Sequence, residues 1–316
     1  MRIGIGLARM VATPSVANLL AAAQQAERDG FATAWLSHSF GVDALTLLAL
    51  AGRETERIEL GTSVIPTYPR HPAALAQQAL TVQVATGNRL TLGIGLSHRD
   101  MIEDALGLDY SKPIPHTREY LTALNGLLSQ EPTRFSGDLY RVAAQIEVAG
   151  ATKPPVLVAA LGPAMLRLCG RLAEGTAIWM GGPVYLRDVA IPTITAAAAA
   201  AGRPAPRIVA GLPVCVTEDA ATARETAIKL FAQYGQWASY RATLDRSGVA
   251  GPEDVALIGT EEQVAGWLRE LAALGVTDFN AGIFTTPGAP RERTIACMAA
   301  LAREQRSATA LAHSPG

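Results

Sequence analysis

Short apolar runs alternate with longer segments of helical spacing along this chain. The first run, Arg2-Ile3-Gly4-Ile5-Gly6-Leu7, reads as a buried strand. Further strands are predicted at residues 33–37, 58–64, 89–95, 155–160, 176–180, 207–216 and 277–284. Ser15 is placed to cap a helix that closes at Asp29-Gly30, where glycine suits a left-handed terminus. Other helices are predicted at 43–53, 73–86, 163–173, 184–201, 260–275 and 289–303, with 219–247 mostly helical. The rhythm loosens after the fourth strand: residues 97–114 are mixed, 116–129 are helical, and "FSGDLYRV" within 135–148 signals a hairpin. This stretch, up to Gly150, reads as an insertion.

Continuous apolar strands separated by helices belong to parallel sheets covered on both faces. Eight such units predict an α/β fold, a TIM (β/α)8 barrel with an insertion after strand 4; a doubly wound open sheet is the competitor. Residues 1–304 are expected to form one domain and 305–316 a flexible tail. In a barrel the active site gathers at the C-terminal ends of the strands, which decides where chemistry is sought.

Composition narrows the partners. The 316 residues carry a formal net charge of −1, so neither nucleic acid nor a membrane surface is indicated. No apolar run is long enough to cross a bilayer, and the chain begins directly on a strand; a cytoplasmic protein is expected. Cys169, Cys215 and Cys297 lie far apart, which speaks for a reducing compartment and core roles.

The strand ends bring together Gly6, Ser37-His38-Ser39-Phe40, Thr62-Ser63-Val64, Gly93-Ile94-Gly95-Leu96-Ser97-His98, Ala160-Leu161-Gly162-Pro163 with Met165, and Trp179-Met180. No paired carboxylates, metal-ligand spacing, nucleophile elbow or P-loop accompanies them. A site poor in acids and metals but rich in glycine points to a bound cofactor. Gly162-Pro163 opens a helix whose free N–H groups suit a phosphate, or is an ordinary turn. Gly93 and Gly95 serve a cofactor or only tight packing. The stretch "TSVIPTYPRHP", residues 62–72, packs three prolines with Tyr68, Arg70 and His71 into one loop, placed to touch a ligand or simply to cap the next helix.

The motifs "LGTSVIPTYPRHP", "RLTLGIGLSH" and "VLVAALGPAML" resemble the bacterial luciferase-like superfamily, and within it the actinobacterial coenzyme F420-dependent oxidoreductases. The resemblance covers residue 2 to about residue 303. It implies a TIM barrel holding a deazaflavin, coenzyme F420 (alternatively FMN), in its mouth. It also implies a cis peptide at Ser63–Val64 whose bulge backs the ring. His38, Ser39, Gly95, Leu96 and Ser97 would join Ser63 and Val64 around the cofactor. Ala160, Leu161, Gly162, Pro163 and Met165 would hold its phosphodiester side. Tyr68, His98, Met180 and Trp237 are assigned to the substrate, and His38 to catalysis.

One departure bears on the chemistry. Alcohol and sugar-phosphate dehydrogenases of this family carry Asp-His after the strand 2 serine, the His acting as base. Here that His position is Ser39, and His38 stands where the Asp would be; His98 replaces an expected glutamate. Reduction of an activated C=C or C=N bond is therefore expected. The alternatives are an FMN-dependent monooxygenase and a cofactor-free barrel used for binding. Tyr234, Trp237 and Tyr240 in "YGQWASY" either wall a hydrophobic substrate or pack at a subunit interface, and the resemblance implies a homodimer.

Overall fold

Eight parallel strands close on themselves in a computed structural model that describes residues 1–312. They are β1 (Arg2–Gly6), β2 (Thr33–Leu36), β3 (Glu59–Thr62), β4 (Leu90–Gly95), β5 (Val156–Ala159), β6 (Gly175–Trp179), β7 (Arg207–Val216) and β8 (Asp278–Ile283). Each pairs with its neighbour in sequence, and β8 pairs with β1 through Arg2↔Asp278 to complete the ring. The expected barrel is thus observed. A closed ring leaves no sheet edge unpaired, which is what an open doubly wound sheet would have shown.

The helices form where the caps predict them. Ser15 accepts from the Asn18 N–H at the start of Val16–Asp29, and Gly30 ends that helix with φ 90°. Asp43 caps Ala44–Glu54 by accepting from Thr46. The insertion contains the helix Pro113–Leu128 and an antiparallel hairpin, Thr133–Ser136 with Arg141–Ala144. Buried Glu119 anchors the hairpin turn by accepting from the N–H groups of Asp138, Leu139 and Tyr140.

Three features differ from the sequence reading. Leu257–Gly259 adds a short strand beside the end of β7; at three residues it is too short for an alternation signal. The helix expected at 184–201 contains a π-turn at Leu186–Ala190. Pro192 explains that turn, because it has no N–H to return to Asp188. The last helix, Arg291–Ala312, runs past residue 305, where the tail was expected to begin. Residues 313–316 of that tail lie outside the described residues.

Two tryptophans shape the barrel interior. Side chains at Gly4 and Gly61 would collide with Trp35, and side chains at Gly211 and Gly282 with Trp179. The inward positions of β1, β3, β7 and β8 are thus emptied for two large rings. Below Trp35 the barrel is sealed by charge. Arg207 donates to both oxygens of Asp278 (2.9 and 2.7 Å) and to Glu59 (2.7 Å), and Arg2 donates to Glu59 (2.6 Å). All three cysteines are buried and unpaired, and among the described residues no helix is long and apolar enough to cross a membrane.

Candidate active site

After β3 the chain turns sharply: the Ser63–Val64 peptide is cis. Ile65–Pro66 then rejoins the sheet beside Ile94 and Gly95. This fold-back explains the glycines of β4. Thr62 Oγ1 donates to the Gly93 carbonyl and accepts the Gly93 N–H, both at 2.8 Å. A Cβ at Gly93 would strike the Thr62 carbonyl oxygen, and one at Gly95 would press on Val64. The "GIG" of β4 is therefore required by packing: it lets the bulge lie flat against the next strand. Val64 packs on Trp35, Leu157, Ala177 and Val209, at the top of the interior layer.

The loop after the bulge is fixed from two sides. Tyr68 stacks on His116 of the insertion, with ring centroids 3.9 Å apart, and on Tyr110. Thr67 Oγ1 and the Tyr140 hydroxyl bracket the His116 ring at 2.8 and 3.3 Å. Arg70 pairs with Asp43. His71 accepts from the Ala73 N–H and so caps the helix Pro72–Ala85. The prolines, Tyr68, Arg70 and His71 thus tie the bulge to the insertion and to the helix after β2.

Burial of His116 pushes its pKa down to about 4. Its neutral form therefore contributes stability that is present above the ordinary value of 6.5 and is lost as pH falls through the folded value. Chemical denaturation should show stability declining between pH 6.5 and about 4. His116→Gln should flatten that part of the profile relative to wild type; an unchanged slope would contradict the assignment.

His38 sits at the end of β2, mostly covered, with a side-chain exposure of 17%. Its Nδ1 accepts the Ala44 N–H at 3.3 Å, and Asp43 lies 3.7 Å from the same nitrogen. Burial and the Arg70 cation lower its pKa, while Asp43 opposes them. A helix N-terminus also disfavours an imidazolium. The ring is accordingly neutral, and with Nδ1 accepting, its proton is on Nε2. Ser39 is exposed beside it.

Across the mouth, Ser97 adopts a left-handed conformation (φ 63°), and Leu96 is half-buried next to it. His98 stacks face to face on Trp237, with centroids 3.6 Å apart, and Trp237 Nε1 donates to Asp100. Burial lowers the His98 pKa. The segment after β7 therefore crosses the mouth and meets the loop after β4; Tyr234 contacts Trp237, Tyr240 and Trp179.

At the end of β5, Gly162 caps Pro163–Leu172 with no side chain on the helix terminus, and the space where its Cβ would stand is open. The first-turn N–H groups of Ala164 and Met165 have no side-chain cap. Tyr185 donates to the Leu161 carbonyl and fixes this turn. Ala160, Met165 and Met180 are buried.

Asn280 of β8 was missed by the sequence reading. It is 8% exposed, its Nδ2 reaches Ser63 Oγ at 3.5 Å, and its Oδ1 is buried without a partner. Asp278, Asn280 and Gly282 share the inward face of β8, so strict alternation along "DFNAGI" would have found it.

A cavity of about 960 Å³ opens at the opposite end of the barrel. Two of its charged groups are committed to the fold: Arg89 donates to the carbonyls of Gly52, Thr55 and Ile58, and Glu27 accepts three backbone N–H groups. The convergent loops and the partnerless Asn280 oxygen are at the mouth, and the site is placed there.

Comparison with known proteins identifies the family. Residues 2–278 match the luciferase-like monooxygenase family. A putative coenzyme F420-dependent oxidoreductase of Mycobacterium tuberculosis is 34% identical over 191 residues, which is 55% of this chain and 54% of the relative. An F420-dependent secondary alcohol dehydrogenase, solved with an F420-acetone adduct, superposes with a TM-score of 0.76 at 18% identity, covering 94% of this chain and 98% of that one. The oxygenating constituent of 3,6-diketocamphane monooxygenase from Pseudomonas putida, solved with FMN, gives a TM-score of 0.72 at 16% identity, covering 96% and 97%. With its bulged third strand, closed eight-stranded ring and family match over most of its length, this chain belongs to the luciferase-like monooxygenase family and is an oxidoreductase.

Proposed function

We propose that the protein is a coenzyme F420-dependent oxidoreductase that reduces an activated C=C or C=N bond of a small organic substrate. The state of His38 carries the proposal. Alcohol oxidation needs a base, but Nδ1 of His38 is engaged by the Ala44 N–H and Nε2 already holds the proton. The ring offers a hydrogen-bond donor, which suits a reaction that places negative charge on its substrate. Ser39 has no basic nitrogen with which to replace the missing histidine.

The residues present fit a deazaflavin. Val64 offers an apolar surface at the bulge, and the Gly162 turn an open, uncapped helix start for a phosphodiester. When bound, the coenzyme supplies the hydride. The chain's part is to press Val64 toward the ring, to hold the phosphodiester at Ala164 and Met165, and to offer the proton on His38 Nε2. Trp237 and His98 exclude water by closing the mouth from above. The F420-dependent relatives support the deazaflavin over FMN, and the homodimer belongs to this proposal as well.

Turnover should follow the donor on His38. With reduced F420 and a panel of conjugated enones and cyclic imines under nitrogen, wild type should return the oxidised coenzyme's visible colour. Loss of the donor in His38→Ala should slow this about 10²-fold, and His38→Gln, which keeps an N–H in place, should recover most of it. Oxygen uptake with reduced FMN and no F420 oxidation would favour the monooxygenase reading instead.

A further inference from the structure

We infer that the substrate carries a carboxylate on a flat apolar body, and that Arg9 binds that carboxylate. The inference rests on the proposed function only for its choice of the mouth as the substrate site. Arg9 lies in the short helix Leu7–Met10 that leaves β1, so it stands at the rim of the mouth. Among the described residues it makes no ion pair and no hydrogen bond; its guanidinium rests 5.9 Å from the Phe231 ring centroid. Two carboxylates of the mouth loops are already occupied: Asp43 pairs with Arg70, and Asp100 accepts from Trp237. A half-buried cation without a counter-charge is costly, and an anion arriving beside it is strongly favoured.

Asn280 borders the same space. A Cβ placed on Gly6 would come within 3.7 Å of Arg9 Cγ and 3.8 Å of Asn280 Oδ1. Among the described residues, the only hydrogen bond of the Asn280 carboxamide is the long one to Ser63, at 3.5 Å. Half a turn of the carboxamide therefore presents Nδ2 to an incoming oxygen at little loss. Guanidinium and amide together can hold the two oxygens of one carboxylate. The wall beyond Arg9 is aromatic: half-buried Tyr234 and Trp179 lie 6.2 Å apart, with the buried Phe231 ring behind Tyr234. Tilted rings of this kind accept a planar, conjugated body.

The test compares trans-cinnamate with trans-cinnamamide, which match in size and differ in charge, by calorimetric titration of the cofactor-free protein. Cinnamate should bind at least about tenfold more tightly than the amide. Arg9→Met, which keeps the stem over Phe231, should bring cinnamate down to the amide's level and leave the amide unchanged. Equal affinities in wild type, no binding of either compound, or cinnamate binding that survives Arg9→Met each overturn the inference. If the variant does not fold, the wild-type comparison alone decides. Cinnamate binding by a protein that rejects F420 would remove the proposed function and leave the Arg9 site standing.

Discussion

Asp278→Asn should destabilise the protein by about 3–5 kcal/mol, the largest effect expected of any conservative change in this chain. The Asp278 side chain is 3% exposed and takes two hydrogen bonds from Arg207. Burial alone would raise its pKa; the hydrogen bonds and charge of Arg207, with the Arg2 cation, reverse that and hold it below the ordinary carboxyl value. The substitution leaves Arg207 facing only Glu59 in the barrel floor. Because the folded pKa is depressed, this stabilisation is fully present above the ordinary value of 3.8 and is lost as pH falls through the folded one. Urea unfolding at neutral pH should show the full deficit, and the gap between variant and wild type should close only in strong acid. An equal deficit at all pH values would mean that charge is not the cause.

The second large effect is expected at Gly93. Alanine there drives a methyl group into the Thr62 carbonyl and against Val64, and neither can retreat because Thr62 is hydrogen-bonded to both backbone groups of Gly93. Overpacking of this kind costs about 1–3 kcal/mol, and it moves the bulge that faces the proposed cofactor. Gly93→Ala should therefore melt earlier and bind F420 weakly. Gly162→Ala is the control: its Cβ meets nothing within 4 Å, and its φ of −87° suits alanine. It should melt with wild type. If the two variants melted together, the packing account of β4 would be wrong.

The barrel could be read from the sequence because its signals are local. Ser15, Asp43 and Gly30 sit where helix ends need them, and most strands are short, largely apolar runs. The functional connections were harder to read because they are made between distant parts of the chain. The partnership of Tyr68 with His116, of Arg70 with Asp43, and of Trp237 with His98 joins loops that only barrel closure brings together. Nothing in the run "TYPRHP" distinguishes a ligand contact from a strut, and the structure builds these side chains into struts. His38 was selected by its place at a strand end; its tautomer became visible only with the Ala44 N–H beside it. Arg9 drew no attention in the sequence, because its lack of an ion pair among the described residues is visible only in the folded chain.

A mouth that holds a deazaflavin, as proposed, should prefer F420 to FMN in binding. Parallel equilibrium titrations of the purified protein with F420 and with FMN, followed by fluorescence, test it most directly. The account predicts saturable binding of F420 that is clearly tighter than that of FMN and is weakened in Gly93→Ala. Tighter binding of FMN, or no binding of either, would contradict it.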